Sequence, residues 1–151
     1  MLRNETGVRL ATLRDEMRDG MEEGVGIYRD EKGIRATCSR LAGLRDRYRG
    51  GVKLDDRSRA FNTEWLTAIE LGFMLEVAQA MAHGALERRE SRGAHVRLDF
   101  EARDDSGFLK HTLAHRTGAG APRIEHRPVT ITRSQPKVRH YGGAGRQAVL
   151  S

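Results

Sequence analysis

The chain has 151 residues, of which 38% are hydrophobic and 32% are charged, and its formal net charge is +6. This length suits one domain that buries a hydrophobic core. The one cysteine, Cys38, excludes an internal disulfide and is typical of a reducing compartment. Because the N-terminus also shows no charged segment followed by an apolar one, we expect a cytoplasmic protein.

The basic surplus is confined to the C-terminal part of the chain. Residues 1–93 carry 17 Lys/Arg against 16 Asp/Glu, whereas residues 106–151 carry eight Lys/Arg against Glu125 alone. Phosphate contacts need only such cations, so nucleic-acid binding by the tail is one alternative. Tyr141 is the one aromatic residue of the tail, so we see no stacking platform and expect no nucleic-acid partner.

Two amphipathic helices are predicted in the first third of the chain. The first covers 8–23, with apolar residues at helical spacing, and Gly24 and Gly26 end it. The second begins after Asp30, a good N-cap, and the pair Gly50-Gly51 closes it. The apolar stripes are Leu10, Leu13, Met17 and Met21 in the first helix, and Ile34, Cys38, Leu41, Leu44 and Tyr48 in the second.

A third, longer helix is predicted from the N-cap Asn62 to the stop signal Gly93, with Phe61 and Leu66 as a hydrophobic staple. It has two apolar flanks, so we expect neighbours to bury it on most sides. The flanks are Leu66, Ile69, Phe73, Val77 and Met81, and Leu71, Met74, Leu75 and Ala78. Internal polar residues, among them Glu70 and Glu76, argue against a membrane span.

The pattern changes after the third helix. Alternating residues lead into a turn at 103–107, and two strands at 108–116 and 123–132 flank a loop at 117–122. The predicted fold class is therefore mainly α. We expect an antiparallel three-helix bundle over 1–93, an extended segment with a β-hairpin over 94–132, and a basic C-terminal tail over 133–151 that has too few apolar residues to fold alone.

Ionisable residues concentrate where the helical part ends. We call this set the charged corner; it consists of Arg92, Gly93, His95, Arg97, Asp104, Asp105, Lys110 and His111. Histidine beside arginine and aspartate suits proton transfer, which makes catalysis one alternative. The other is a network of charge-assisted hydrogen bonds that clamps backbone to a neighbouring surface, and this is the interpretation we favour. No histidine, cysteine or glycine motif indicates a metal, nucleophile or nucleotide site.

Several motifs together resemble one family, the C-terminal part of the flavoprotein subunit of fumarate reductase and succinate dehydrogenase. They are Met-Glu-Glu-Gly-x-Gly-Ile-Tyr-Arg at 21–29, Phe-Asn-Thr at 61–63, Ile-Glu-Leu-Gly at 69–72, Ala-Met-Ala-His at 80–83, Arg-Glu-Ser-Arg-Gly-Ala-His at 89–95, Arg-Asp-Asp at 103–105, Phe-Leu-Lys-His-Thr-Leu at 108–113, Val-x-Ile-Thr at 129–132 and Tyr-Gly-Gly at 141–143. The resemblance covers about residues 8–143, and the fumarate reductase branch fits best. L-aspartate oxidase shares part of the corner but has Leu where this chain has Ala94.

The resemblance implies a structural role for this chain. In the family, the FAD fold and the catalytic residues lie upstream of the segment matched here, so we expect no catalytic, cofactor or metal residue in this chain and FAD only in the parent subunit. The parent would pass electrons from quinol through an iron–sulfur subunit to fumarate.

The expected partners are the flavin-binding domain of the same subunit, which the charged corner would contact, and the iron–sulfur subunit. The membrane would be reached only indirectly, through anchor subunits, so the expected location is the cytoplasm or the cytoplasmic face of the inner membrane. One alternative function is a free-standing basic helical interaction module with an assembly or nucleic-acid partner. The other is the corresponding module of L-aspartate oxidase.

Overall fold

A computed structural model of the chain describes residues 6–118 and 120–137. The protein is mainly α, as predicted. Its helices are α1 Leu10–Val25, α2 Glu31–Gly50, α3 Thr63–Glu87 and α4 Asp105–Phe108. Its strands are β1 Val8–Arg9, β2 Tyr28–Arg29, β3 Val52–Lys53, β4 Val96–Arg97, β5 Lys110–His115 and β6 Arg123–Pro128. The predicted tail beyond residue 137 lies outside the described residues.

Helices α1 and α2 form close to where the sequence places them. The carboxylate of Asp30 accepts a hydrogen bond from Gly33 N at 2.7 Å, which confirms the predicted N-cap. At the other end, Gly51 adopts φ 125° and donates its N–H to Tyr48 O, as expected for a glycine that ends a helix. Helix α1 begins two residues later than predicted, because Val8 pairs with Val52 in a parallel bridge instead.

Helix α3 differs from the prediction at both ends. Asn62 caps it by accepting from Trp65 N at 2.7 Å, as predicted, but Phe61 is fully exposed, so the predicted staple is wrong. The helix ends at Glu87 and not at Gly93. A guanidinium explains the early end, since Arg97 donates to the terminal carbonyls of Ala85 (3.1 Å) and Leu86 (3.3 Å).

The core lies where α1, α2 and α3 meet. Its largest fully buried apolar side chains are Leu13, Ile34, Leu41, Leu44, Leu71, Leu75 and Val52. Helix α3 turns its small residues, such as Ala68 and Ala82, toward this core, and small residues permit close helix approach. The flank with Leu66, Phe73, Val77 and Met81 is exposed, so the expectation that neighbours bury α3 on most sides is wrong for this chain.

The strands form three two-stranded sheets. Strands β1 and β3 are parallel, β2 and β4 are parallel, and β5 and β6 form the predicted hairpin, in a register that runs from Lys110↔Pro128 to His115↔Arg123. The hairpin strands are shorter than predicted, and the predicted turn at 103–107 overlaps the short helix α4. No helix in the described part of the chain is long and apolar enough to cross a membrane.

Candidate functional site

A buried carboxylate lies at the centre of the charged corner. Glu90 is fully buried and accepts hydrogen bonds from Arg92 Nε at 2.7 Å, Arg88 Nε at 3.0 Å and Asp104 N at 2.9 Å. Burial alone raises the pKa of Glu90, but the hydrogen bonds from Arg92, Asp104 N and Arg88 outweigh burial and lower it. Glu90 is therefore anionic at neutral pH and ties the segment 88–92 to the backbone of Asp104.

Arg97, the largest fully buried side chain, joins the ends of two helices. Besides the terminal carbonyls of α3, its guanidinium binds both oxygens of Asp99, at 2.8 and 2.7 Å. Asp99 in turn accepts from the backbone N–H of Glu31, the first residue of α2, at 2.9 Å. The hydrogen bonds from Arg97 lower the pKa of Asp99 to about 2. This chain of contacts fixes the C-terminal end of α3 to the N-terminal end of α2.

Asp104 and Asp105 hold the short helix α4 against Arg92. Asp104 caps α4 by accepting from Gly107 N at 2.8 Å. Asp105 pairs with Arg103 and also accepts from Arg92 Nη2 at 2.7 Å, and these contacts, the one with Arg103 foremost, lower its pKa to about 2. Both acids are therefore charged near neutral pH, and their hydrogen bonds determine the path of the backbone.

His95 has a partner at each ring nitrogen. Arg29 Nη1 donates to Nδ1 at 3.1 Å, so Nε2 carries the proton and donates it to Arg88 O at 3.0 Å. Burial, and then the charges of Arg29, Arg97 and Arg88, lower the pKa of His95. The imidazole is thus neutral and has no free lone pair with which to accept a proton. This geometry gives His95 a structural role within the chain and leaves it no ring nitrogen for proton transfer.

Arg88 connects the corner to the β5–β6 hairpin. Its guanidinium donates to Lys110 O at 3.1 Å and to Thr112 Oγ1 at 3.1 Å, and it also bonds Phe108 O. Lys110 takes part through this backbone oxygen, while its ammonium lies 4.8 Å from the ring centroid of Phe108. The hairpin is therefore held against the end of α3 by a residue outside the predicted set.

The structure brings together five of the eight predicted corner residues through their side chains, namely Arg92, His95, Arg97, Asp104 and Asp105. His111 is exposed. Gly93 lies at an exposed turn with φ 61°, and a Cβ there would meet no atom within 4 Å. The prediction missed Arg29, Arg88, Glu90, Asp99 and Arg103. All of them except Arg29 lie within 88–105, among or beside the predicted residues. This closeness in sequence was the signal that could have found them.

Exposed apolar side chains lie beside these charges. Tyr28 pairs with Val96 in the β2–β4 sheet, and Leu98 N donates to Arg29 O at 2.9 Å. Ile27, Tyr28 and Leu98 are all largely exposed. The corner thus consists of charges that are paired within the chain, surrounded by apolar residues and by the open backbone of Gly93.

The fold is a helical module whose charged corner is held together by hydrogen bonds within the chain, and comparison with known proteins gives its family. A family model described as "Fumarate reductase flavoprotein C-term" matches residues 14–141, and the chain belongs to this family.

The chain is 52% identical over 130 residues to the fumarate reductase flavoprotein subunit of Haemophilus influenzae, which covers 86% of this chain and 22% of the relative. It is 48% identical over 145 residues to the Escherichia coli subunit, covering 95% of this chain and 24% of that protein. A succinate dehydrogenase flavoprotein subunit from Coxiella burnetii is 43% identical over 121 residues, which cover 80% of this chain and 20% of the relative.

A solved structure of an E. coli quinol fumarate reductase subunit with an E245Q mutation superposes with a TM-score of 0.85 at 48% identity, over 94% of this chain and 25% of that one. The chain therefore spans about a quarter or less of the length of the relatives it matches. These findings favour neither L-aspartate oxidase nor a free-standing module.

Proposed function

We propose that this module serves a subunit that reduces fumarate to succinate, with electrons that come from quinol through an iron–sulfur subunit. The observation that carries the proposal is the match of nearly the whole chain to fumarate reductase flavoprotein subunits at 45–53% identity, against 32–43% for succinate dehydrogenase subunits. A similar solved structure is described as a quinol–fumarate reductase with menaquinol molecules. The chain itself has a structural part in this reaction.

Helices α1, α2 and α3 form an antiparallel three-helix bundle within residues 1–93. Two ion pairs between α1 and α2 support this arrangement, since Glu16 in the middle of α1 pairs with Arg47 near the end of α2, whereas Glu23 near the end of α1 pairs with Arg40 in the middle of α2. For α2 and α3, the hydroxyl of Tyr48 donates to Ala68 O at 2.9 Å. The second unit is the extended segment and hairpin of 94–132, and the third is the basic tail of 133–151.

FAD belongs to the parent subunit in this proposal, and the described residues of this chain do not fit it. In residues 6–118 and 120–137 each sheet has only two strands, and no strand leads through a Gly-x-Gly-x-x-Gly turn into a helix. A cavity of 570 Å³ at the start of α3 is lined by Ser58, Arg59, Phe61, Asn62, Thr63, Trp65 and Leu66, and no glycine-rich loop lines it. We therefore assign no step of flavin chemistry to this chain.

The charged corner contacts the flavin-binding domain of the same subunit. Its paired charges hold the backbone of 88–110 rigid, and the exposed Tyr28 and Leu98 with the open turn at Gly93 provide the contact area. The remaining partner is the iron–sulfur subunit, and the complex reaches the membrane through anchor subunits. The location is the cytoplasm or the cytoplasmic face of the inner membrane.

A chimaera tests the function. This chain replaces the matching segment of the E. coli fumarate reductase flavoprotein subunit, to which it is 48% identical. We expect the chimaera to retain FAD and to oxidise a reduced dye in a fumarate-dependent manner. A chimaera that folds without retaining FAD or activity would contradict the proposed function.

The corner is tested by comparing each variant in two contexts, the 151-residue chain alone and the chimaera. Leu98→Ser should leave the urea midpoint of the isolated chain unchanged, because this side chain is exposed there, and should lower flavin retention in the chimaera. Arg92→Ala should lower both the urea midpoint of the isolated chain and the flavin retention of the chimaera, with the larger loss in the chimaera. Arg18→Ala, at an exposed position, serves as control. If the variants lowered flavin retention in the chimaera no more than they destabilise the isolated chain, a docking role for the corner would be ruled out.

A further inference from the structure

The imidazole of His95 holds two separate segments of the chain together. It accepts a hydrogen bond from Arg29 Nη1 at Nδ1, 3.1 Å away, and donates from Nε2 to Arg88 O at 3.0 Å. Arg29 lies in β2 and Arg88 directly follows α3, so the ring joins segments that are far apart in sequence. The contact with Arg29 exists only while the ring is neutral, because a guanidinium donates hydrogen bonds and accepts none.

The side chain of Arg29 depends on this contact. Within residues 6–118 and 120–137 its guanidinium makes no hydrogen bond other than the one to His95, and its Nε is buried without a partner. Burial, and then the charge of Arg97, lower the pKa of Arg29, so the cation already lies in an unfavourable environment. Without the ring as an acceptor, Arg29 would be a buried cation with no partner, and such a group moves toward water.

The contact between β2 and β4 is short. Each strand has two residues, and one further backbone bond, from Leu98 N to Arg29 O at 2.9 Å, extends the pairing. The bond from Glu31 N to Asp99 is the next contact beyond it. A sheet of two short strands is marginal in water, so the side-chain bond between Arg29 and His95 is a large part of what keeps β2 in place.

The charges around the ring oppose a proton on it. Arg29 faces the ring from β2, and Arg88 and Arg97 face it from the segment after α3. The carboxylates of Glu90 and Asp99 pair with Arg88 and Arg97, and no carboxylate in the described part of the chain pairs with the ring. A charged imidazole would therefore be buried among three guanidinium groups.

We propose that His95 is an acid-sensitive latch, in which protonation of Nδ1 breaks the bond to Arg29 and releases β2 from β4. Arg29 occupies the lone pair of Nδ1 in the closed arrangement, so the ring must leave Arg29 before it takes up a proton. Once released, the ring has its ordinary pKa of 6.5, and the open fraction grows by about tenfold for each pH unit below that value. As regulation of the charged corner the latch rests on the proposed function, whereas the opening itself is a property of this chain.

Amide hydrogen exchange of the 151-residue chain tests the latch. The probe is the N–H of Leu98, which binds Arg29 O across the latch, and the reference is the N–H of Gly51, which binds Tyr48 O at the far end of α2. The exchange rate divided by the intrinsic rate measures opening. Between pH 7.5 and pH 5.5 we expect it to rise about tenfold at Leu98 and to change less than about twofold at Gly51.

Two variants separate the latch from a general effect of acid. In His95→Gln the side chain offers an acceptor and a donor but takes up no proton in this range, so the pH response of Leu98 should disappear. Arg29→Ala removes the other half of the latch, so Leu98 should exchange rapidly at both pH values. The matched control is His111→Gln, which replaces an exposed histidine of the hairpin and should keep the tenfold response.

The outcomes separate the latch from the proposed function. A response at Leu98 that is no larger than that at Gly51, or one that persists in His95→Gln or Arg29→Ala, would overturn the latch. Loss of the response in His111→Gln would overturn it as well, in favour of the hairpin histidine. None of these results bears on the chimaera at neutral pH, and a chimaera without FAD contradicts the proposed function while the latch stands.

Discussion

Replacing Glu90 by glutamine tests whether the charged corner stabilises the chain from within. Glutamine keeps the shape and one acceptor oxygen, but it removes the negative charge that Arg88 and Arg92 share. These two side chains are only 17% and 26% exposed, so water replaces the lost partner poorly. Breaking a buried ion pair by removing one partner costs about 3–5 kcal/mol.

The expected loss is smaller than that limit. Arg92 keeps its contact with Asp105, and the amide oxygen of the substituted side chain still accepts one hydrogen bond, so we expect Glu90→Gln to lower the free energy of unfolding by about 2–4 kcal/mol. Urea unfolding of the 151-residue chain at pH 7, followed by far-UV circular dichroism, measures the change. The control is Glu101→Gln, at an exposed position of the same segment. Losses that agree within about 0.5 kcal/mol for the two variants would refute the reasoning.

Three further predictions concern packing and pH. Gly24→Ala should destabilise the chain by about 1–3 kcal/mol, because its Cβ would lie 2.6 Å from a carbonyl oxygen of α2. Gly43→Ala, whose Cβ would meet no atom within 4 Å, should stabilise the chain by about 0.5–1 kcal/mol. The urea midpoints of the two variants measure both changes. Asp99 has a folded pKa of about 2 against an ordinary 3.8, so its contribution to the free energy of unfolding is complete above pH 3.8 and is lost as the pH falls toward 2. Asp99→Asn should therefore flatten the pH dependence of thermal stability over that window. The lowered pKa of His95 means that folding opposes its protonation, so stability should fall as the pH drops below 6.5, and an NMR titration that finds His95 charged at pH 6.5 in the folded chain would contradict the buried geometry.

The sequence was a good guide where local chemistry decides the structure. Asp30 and Asn62 cap helices because a short polar side chain reaches an N–H group three residues on, and this needs no information from distant residues. Gly51 ends α2 because glycine adopts its positive φ without a steric cost. The hairpin followed from two strand-like segments and the loop between them.

The sequence failed where distant residues decide. Strands β1 to β4 have two residues each and therefore no periodicity, and each pairs with a segment more than 40 residues away. The end of α3 depends on Arg97, ten residues beyond Glu87, so Gly93 was a misleading stop signal. The expected burial of Phe73 was wrong for the isolated chain, since hydrophobicity does not tell which molecule supplies the cover.

The corner also depended on long-range pairing. A dense run of charges indicates hydrogen-bonded networks and reactive sites equally well, and only the partners of His95 decide between them. Glu90 is the clearest omission, because a buried carboxylate that links two segments looks in the sequence like any other charged residue of a polar loop.

The link from α3 through Arg97 and Asp99 to α2 has a consequence for biosynthesis. Tyr28 pairs with Val96, and the N–H of Glu31 donates a hydrogen bond to the carboxylate of Asp99, 68 residues later. During translation α1 and α2 can therefore form well before Val96 and Asp99, which contact the region between them, have been synthesised. A nascent chain that stops short of Asp105 lacks the residues that assemble Glu90, Arg92 and their neighbours into one rigid surface. Only a chain synthesised past all three helices therefore contains the residues that form the corner.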